Sequence, residues 1–338
     1  MTHNETLLVV KDLKVHFRRQ GSLFAKPSVV HAVDGVSFKV RRGTTLAIVG
    51  ESGSGKTTTA LSIMRLAPIT SGSVAMANQE ITHLEGTNLR RVRRNLQIIF
   101  QDPYSSLNPR VRVGAAVRAP LDQMNIGLPA ERDERVAALF RSVGLRPEQQ
   151  HLFPHQFSGG QRQRINIARA LASKPDLVIC DEPVSALDVA VRAQTLNLLQ
   201  KLQKEMGLTY LFISHDMAVV EHMCDEIAVM YMGRIVERAP RHAFFDHPLH
   251  PYSWALMSAV PALGGSRTRV GTRIQLKGDP PNPIDPPPGC RFAPRCPFAV
   301  SRCRERAPEL RAVGPLGREV ACHLIDDTGA TPHPRLYL

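Results

Sequence analysis

Residues 50–58 read Gly50-Glu51-Ser52-Gly53-Ser54-Gly55-Lys56-Thr57-Thr58. Glycines at this spacing, followed by a lysine and a hydroxyl residue, serve a backbone that must bend sharply and turn its amides inward. The flanks agree with that reading. Thr45-Leu46-Ala47-Ile48-Val49 enters as a buried strand, and Thr57 to Leu66 leaves with helical composition. The loop therefore sits at a helix N-terminus, where free N–H groups and the positive end of the helix dipole favour an anion. Lys56 is placed to reach the outer phosphates of such a ligand, and the Thr57 hydroxyl to ligate Mg²⁺. A glycine-rich turn that binds nothing would not need both the strand and the helix.

A second buried strand, Leu177-Val178-Ile179-Cys180, ends in Asp181-Glu182. Carboxylates leaving the C-terminal edge of a parallel strand stand where open sheets place ligands. Two adjacent ones can divide the work, Asp181 holding the metal and Glu182 polarising an attacking water. In isolation such a pair reads more simply as surface charge or helix N-terminal charge. Its company, the glycine loop at 50–58 and Ser158-Gly159-Gly160-Gln161 shortly before the strand, favours the first reading.

The rest of the chain fits an α/β plan. Residues 8–40 alternate, as in Val10, Leu13 and Val15 and again in Val36, Phe38 and Val40, which predicts an antiparallel strand layer interrupted by a loop over Arg18–Ser28. Residues 44–110 and 174–240 predict a wound, mostly parallel sheet. Between them, Val111 to Gln156 reads as mainly helical, most clearly over Arg132–Phe140, and a further helix is expected over Gly160–Ala172. The backbone amides of Ser158, Gly159 and Gly160 would then cap a helix N-terminus, a second anion site or a plain cap.

At this point the residues resemble the ABC-type ATPases, a branch of the P-loop NTPases. Ser158-Gly159-Gly160-Gln161-Arg162-Gln163-Arg164 is similar to the family's signature loop, although Phe157 stands where Leu is commoner. Gln101 after Leu96–Phe100 resembles the Q-loop, Ser185-Ala186-Leu187-Asp188 the D-loop, and His215 after Leu211–Ser214 the switch histidine. The resemblance implies ATP and Mg²⁺ as ligands. Glu182, His215 and Gln101 would be catalytic, and Thr57, Gln101 and Asp181 would be on the Mg²⁺ side. ATP would be held by residues 50–58, by Ser158, Gly159, Gly160 and Gln161, and by Phe17 stacking on adenine, with His16 a weaker candidate. Core packing of an alternating strand is the other reading of Phe17. Because a signature and a phosphate loop cover opposite sides of one nucleotide only across an interface, the resemblance also implies a head-to-tail pair with a second ATPase, identical or paralogous.

Pro103–Arg110, Asp181–Val189 and Pro287-Pro288-Gly289-Cys290 narrow the resemblance to the ATP-binding subunits of dipeptide and oligopeptide importers, over about Leu8 to Cys322. That implies two membrane permeases, a substrate-binding protein acting through them, and a peripheral position on the cytoplasmic face of the inner membrane. The expected layout is a nucleotide-binding domain over 8–258 with its helical subdomain at about 111–160, a C-terminal region over 259–325, and a flexible tail over 326–338. Nickel or another small solute would leave the mechanism unchanged. A non-transport ABC ATPase working on ribosomes or DNA fits less well, since there is one nucleotide-binding domain and no inserted coiled coil or zinc hook.

Composition sets the outer limits. A chain of 338 residues, 43% hydrophobic, can build one large α/β domain with appendages. No apolar run reaches the ~18 residues of a membrane span, and the first six residues lack the pattern of a signal peptide. The net charge of +13 and the cluster Arg90, Arg91, Arg93 and Arg94 fit solvated helix faces, an anionic membrane surface or nucleic acid; no specific nucleic-acid partner is expected.

Toward the C-terminus, Cys290, Cys296, Cys303 and Cys322 lie in a proline-rich stretch too short to build its own core, which predicts a staple. Disulfides do not suit the cytoplasm. The gaps of five, six and eighteen residues are wider than the close pairs of most zinc sites. An iron–sulfur cluster, of the 4Fe-4S type found in some peptide-importer subunits that this region resembles, suits them better; zinc and plain reduced thiols remain the alternatives. Cys180 and Cys224 read as small buried apolar residues.

Overall fold

The computed structural model describes residues 5–19, 28–259, 274, 276, 278 and 282–330. The chain opens on β1 (Thr6–Arg19) and β2 (Ser28–Arg41), long strands whose buried positions include Leu13, Val15, Val36, Phe38 and Val40, the side chains picked out by the alternation. Within the loop expected over Arg18–Ser28, Arg18, Arg19 and Ser28 are strand residues instead, and 20–27 lie outside the described residues. β3 (Thr45–Val49) is buried at every position and leads through the glycine loop into α1 (Lys56–Ile63). β4 (Ser71–Met76) and β5 (Gln79–Glu80) pair antiparallel, and the four-stranded sheet has the order β2-β1-β4-β5.

Next come α2 (Gly86–Asn95), which carries the arginine cluster, and β6 (Leu96–Ile99). Arg90, Arg91 and Arg94 are exposed and Arg93 is half-buried. The helical stretch contains α3 (Val113–Gln123) and α4 (Arg132–Ser142), both packed on α5 (Gly159–Leu171), and Val117, Leu121, Val136 and Phe140 are buried on them.

Strands and helices then alternate. β7 (Leu177–Asp181), α6 (Val189–Met206), β8 (Thr209–Ser214), α7 (Met217–Met223) and β9 (Glu226–Tyr231) follow in order. β10 (Arg234–Pro240) returns antiparallel to β9 across a two-residue turn, Met232-Gly233, both with φ > 0, the type that matches strand twist. α8 (Arg241–Asp246), α9 (Pro251–Ser258), α10 (Ser301–Glu305), β11 (Arg311–Val313) and β12 (Arg318–Val320) complete the chain.

Two compact units emerge, 1–9 with 39–45 and 74–213, and 10–38 with 46–73 and 214–338. In the first, β6, β7 and β8 run parallel in adjacent register, Leu96 opposite Leu177 and Leu177 opposite Thr209. In the second, β3 pairs parallel with β9, Leu46 opposite Glu226, and the order continues through β10 and β12 to β11. The expected wound, mostly parallel sheet is therefore present, with an antiparallel extension at its C-terminal side.

The C-terminal segment, expected to lack a core, both joins one and builds a small one, in which Val313, Val320, Cys322 and Ile325 are buried with Leu249. Phe292 is 1% exposed among Tyr231, Tyr252 and Phe244, and Cys290 and Cys296 pack against the same cluster. The three-residue strands β11 and β12 were missed in the sequence, where the only signal is the turn Gly314-Pro315-Leu316-Gly317 between them. Residues 331–338 lie outside the described residues, and 326–330 form a turn in which Asp326 Oδ1 accepts from Thr328 and Ala330 N–H.

Candidate functional site

The glycine loop has the geometry its sequence predicts. Gly55 has φ 105°, and a Cβ there would lie 2.3 Å from the Ala32 carbonyl oxygen; one on Gly50 would lie 2.1 Å from that of Met230. No other residue fits either place without moving backbone. The carbonyl oxygens of Gly50 and Glu51 accept hydrogen bonds from Lys56 Nζ at 2.8 and 3.0 Å, so the ammonium is held inside the loop it closes. Lys56 is 5% exposed. Ser54 Oγ is buried and meets no partner among the described residues, an orphan hydroxyl suited to a phosphate oxygen. The turn of the β9–β10 hairpin braces the loop from below, Gly233 N–H donating to the Ser54 carbonyl at 2.8 Å. Thr57, at the first turn of α1, is exposed.

Asp181 ends β7 in the other unit, and Glu182 follows it. Asp181 is 4% exposed and lines one open cavity with Gln101, Asp102 and Arg169. Glu182 has φ 48°, a left-handed backbone that costs a non-glycine residue about 1 kcal/mol or more. Its N–H donates to the Ile213 carbonyl at 3.0 Å, and its own carbonyl accepts from Ser185 Oγ at 3.0 Å, which holds the strained turn. Gln101 Nε2 donates to Glu182 Oε2 at 3.2 Å. The structure thus brings Gln101, Asp181 and Glu182 together, three residues named from sequence. Oxygen donors of this kind suit a hard cation such as Mg²⁺.

The segments after Gln101 and after Glu182 are both tied to α5. Gln163 Nε2 donates to the Pro183 carbonyl at 2.7 Å, and the Arg162 guanidinium lies 4.2 Å from the Tyr104 ring centre. At the start of α5, Ser158 Oγ accepts from Gln161 N–H at 3.3 Å while Gln161 Oε1 accepts from Ser158 N–H at 3.1 Å, a reciprocal cap. Gly160 packs where a Cβ would lie 2.3 Å from Val191 Cγ1, whereas one on Gly159 would meet only ordinary contacts, 3.5 Å from Tyr104 Oη and 3.9 Å from Leu187 Cδ2. Asp188 Oδ1 caps α6 by accepting from Val191 N–H at 2.9 Å.

His215 is exposed after β8. Phe17 is 39% exposed at the end of β1, so it is not a core residue. His16 instead turns to Asp34, with Nε2 3.1 Å from Oδ1.

Sequence reading missed the group around Asp34. His16, His31 and Asp34 form the one trio among the described residues with metal-ligand spacing, yet Asp34 also accepts from Arg234 Nη2 at 3.0 Å and from Arg291. Two guanidiniums on one carboxylate disfavour a cation. Burial alone would raise the Asp34 pKa, but Arg234, Arg291 and His16 hold it at about 2. The unfolded value is near ~3.9, so the stability from this carboxylate is full above about pH 4 and is lost as pH falls toward 2. Urea midpoints at pH 5 and pH 3 should therefore differ less in Asp34→Asn than in the wild type.

Cys290, Cys296, Cys303 and Cys322 line one small cavity. Burial pushes the thiol of Cys296 up to about 11 and that of Cys322 up to about 12. These cysteines are absent from the groups with tight metal-ligand spacing, whereas tetrahedral zinc would bring its thiolates to ~3.8 Å of one another. Cys180 and Cys224 are buried at 0% and 3% exposure, with thiol pKa values raised by desolvation, the small apolar role expected of them.

The same fold occurs in an ATP-binding cassette solved as a post-hydrolysis dimer with ADP and Pi, at TM-score 0.62 and 28% identity over 70% of this chain and 99% of that one. The molecule is an ABC-type ATPase. Residues 33–185 match the ABC transporter family model, and residues 236–303 match that of the oligopeptide/dipeptide transporter C-terminal region. The chain belongs to the ATP-binding proteins of the oligopeptide/dipeptide ABC transporter family. It is 47% identical to the oligopeptide transport ATP-binding protein AppF of Bacillus subtilis over 324 residues, 95% of this chain and 98% of the relative. It is 46% identical to the dipeptide transport ATP-binding protein DppF of Escherichia coli over 326 residues, 96% of each.

Proposed function

We propose that this chain hydrolyses ATP to drive import of di- or oligopeptides, with 8–258 as its nucleotide-binding domain and 259–325 as its C-terminal region. The observation that carries this reading is the nearly end-to-end likeness to peptide-transport ATP-binding proteins, cysteine-rich segment included. No helix among the described residues is long and apolar enough to cross a membrane. The permeation path is therefore assigned to two permease subunits, fed by a substrate-binding protein, with this chain peripheral on the cytoplasmic face of the inner membrane.

Each residue then has a task. Lys56, Ser54 and the amides of 50–58 bind the β- and γ-phosphates, and Phe17 stacks on adenine. Thr57 and Asp181 hold Mg²⁺, which neutralises phosphate charge, with Gln101 reporting on that site to the permease side. Glu182 takes a proton from the attacking water, whose position His215 fixes. Ser158, Gly159, Gly160 and Gln161 serve the nucleotide of a second ATPase subunit, identical or paralogous, in a head-to-tail dimer. ATP shared across that interface favours the closed pair, and loss of the γ-phosphate contacts lets the subunits part.

The four C-terminal cysteines suit a 4Fe-4S cluster, whose irons accept thiolates spaced wider than one zinc ion does. Its role would be to staple the proline-rich segment. Anaerobically purified protein should contain iron and absorb visible light, and Cys290→Ser with Cys296→Ser should lose both; a colourless, iron-free wild type excludes the cluster. Peptide import itself is tested by complementing a deletion strain and measuring uptake of a labelled dipeptide and of nickel. Restored dipeptide uptake with unchanged nickel uptake is expected, and the reverse reassigns the cargo.

A further inference from the structure

Arg295 lies between Cys290 and Cys296, 244 residues from the phosphate loop, yet its guanidinium grips that loop. Arg295 Nη1 donates to Glu51 Oε2 at 2.8 Å and Nη2 to Oε1 at 3.3 Å, a two-pronged pair. The arginine side chain is 8% exposed and the glutamate 33%. Glu51 is also fixed through its backbone, its N–H donating to Tyr252 Oη at 2.8 Å and its carbonyl accepting from Lys56 Nζ. The residue after the first loop glycine is thus held from three sides, two of them from beyond residue 250.

The arm that carries Arg295 is itself anchored. Its backbone N–H donates to the Phe292 carbonyl at 3.0 Å, and the Phe292 ring stands 5.2 Å from Tyr231 and 5.5 Å from Tyr252, centre to centre. Four residues earlier, Arg291 bonds Asp34 and the Met232 carbonyl, beside the turn whose Gly233 N–H supports Ser54. The cysteine-rich segment therefore meets the glycine loop directly through Arg295 and, by way of the β9–β10 turn, through Arg291.

We propose that Arg295 is a positioning residue for nucleotide binding, holding Glu51 and cancelling its charge so that the phosphate loop accepts a triphosphate. A carboxylate inside an anion cradle repels the ligand unless it is paired, and the bidentate geometry also fixes the backbone that presents the amides. This rests on the assignment of residues 50–58 as the ATP phosphate site.

The test measures binding of Mg-ATP to the full-length chain, with KM, kcat and Tm, in Arg295→Gln, Arg295→Lys, Arg295→Gln with Glu51→Gln, and Lys56→Ala. Arg295→Gln should weaken ATP binding and raise KM by about tenfold, with a smaller effect on kcat. Arg295→Lys, which keeps the charge but loses the fork, should fall between it and the wild type. Adding Glu51→Gln to Arg295→Gln should recover most of the affinity, because no unpaired carboxylate is left; Tm near the wild-type value in Arg295→Gln separates this from a loss of fold stability. If Lys56→Ala abolishes binding while both Arg295 variants bind as tightly as the wild type, the positioning role is wrong and the phosphate site stands. If Lys56→Ala binds normally, the phosphate site itself is misassigned. Should Arg295→Gln not fold, Arg295→Lys and the double variant decide, and the absence of both a graded effect and a recovery overturns the proposal.

Discussion

Glu182→Gln should still bind ATP but hydrolyse it ~10²–10⁴-fold more slowly, the range for loss of a positioned general base. The substitution keeps the size of the side chain and the bond from Gln101, now to the amide oxygen, so the left-handed turn at φ 48° and its bond to Ile213 stay in place. What changes is the capacity to take a proton from water. With binding intact and turnover blocked, the variant should also accumulate as a nucleotide-dependent dimer, which sedimentation in the presence and absence of ATP would show. Retention of full turnover would remove Glu182 from the chemistry.

Lys56→Ala should weaken ATP binding on the order of a hundredfold or more, measured by equilibrium titration, since it deletes the one ammonium held within the loop. The loop should survive the change. Its tight backbone is set by Gly50 and Gly55 and by the support of Gly233, which remain when the two bonds from Lys56 Nζ to the Gly50 and Glu51 carbonyls are lost. A melting temperature close to that of the wild type, with binding lost, would separate ligand recognition from folding.

Much of this was legible because the signals are local. The strand into the glycine loop, the helix after it, and the buried strand ending in Asp181 all follow from residues within about ten positions of each other, where periodicity and turn chemistry speak directly. The α5 helix begins at Gly159, one residue before the position read from sequence, because Ser158 and Gln161 complete a cap. Phe17 had two readings in the sequence, and only burial excluded core packing.

What was not legible depends on partners far apart in the chain. Nothing near Glu51 announces Arg295, and nothing near Asp34 announces Arg234 and Arg291, because ion pairs across 200 residues or more leave no period behind. The C-terminal segment was read as needing a staple for want of a core. The sequence could not show that Phe292 enters a cluster built by Tyr231 and Tyr252, so that whatever the cysteines hold adds to an anchorage already present.

The antiparallel pairing of β12 with β10 bears on how this protein tolerates shortening. A truncation before residue 311 would bare the hydrogen-bonding flank of Arg234–Pro240, whose Ile235, Val236 and Ala239 are buried in the intact chain. An unprotected, partly greasy strand margin recruits neighbouring molecules, so the shortened product should precipitate rather than persist as a leaner enzyme.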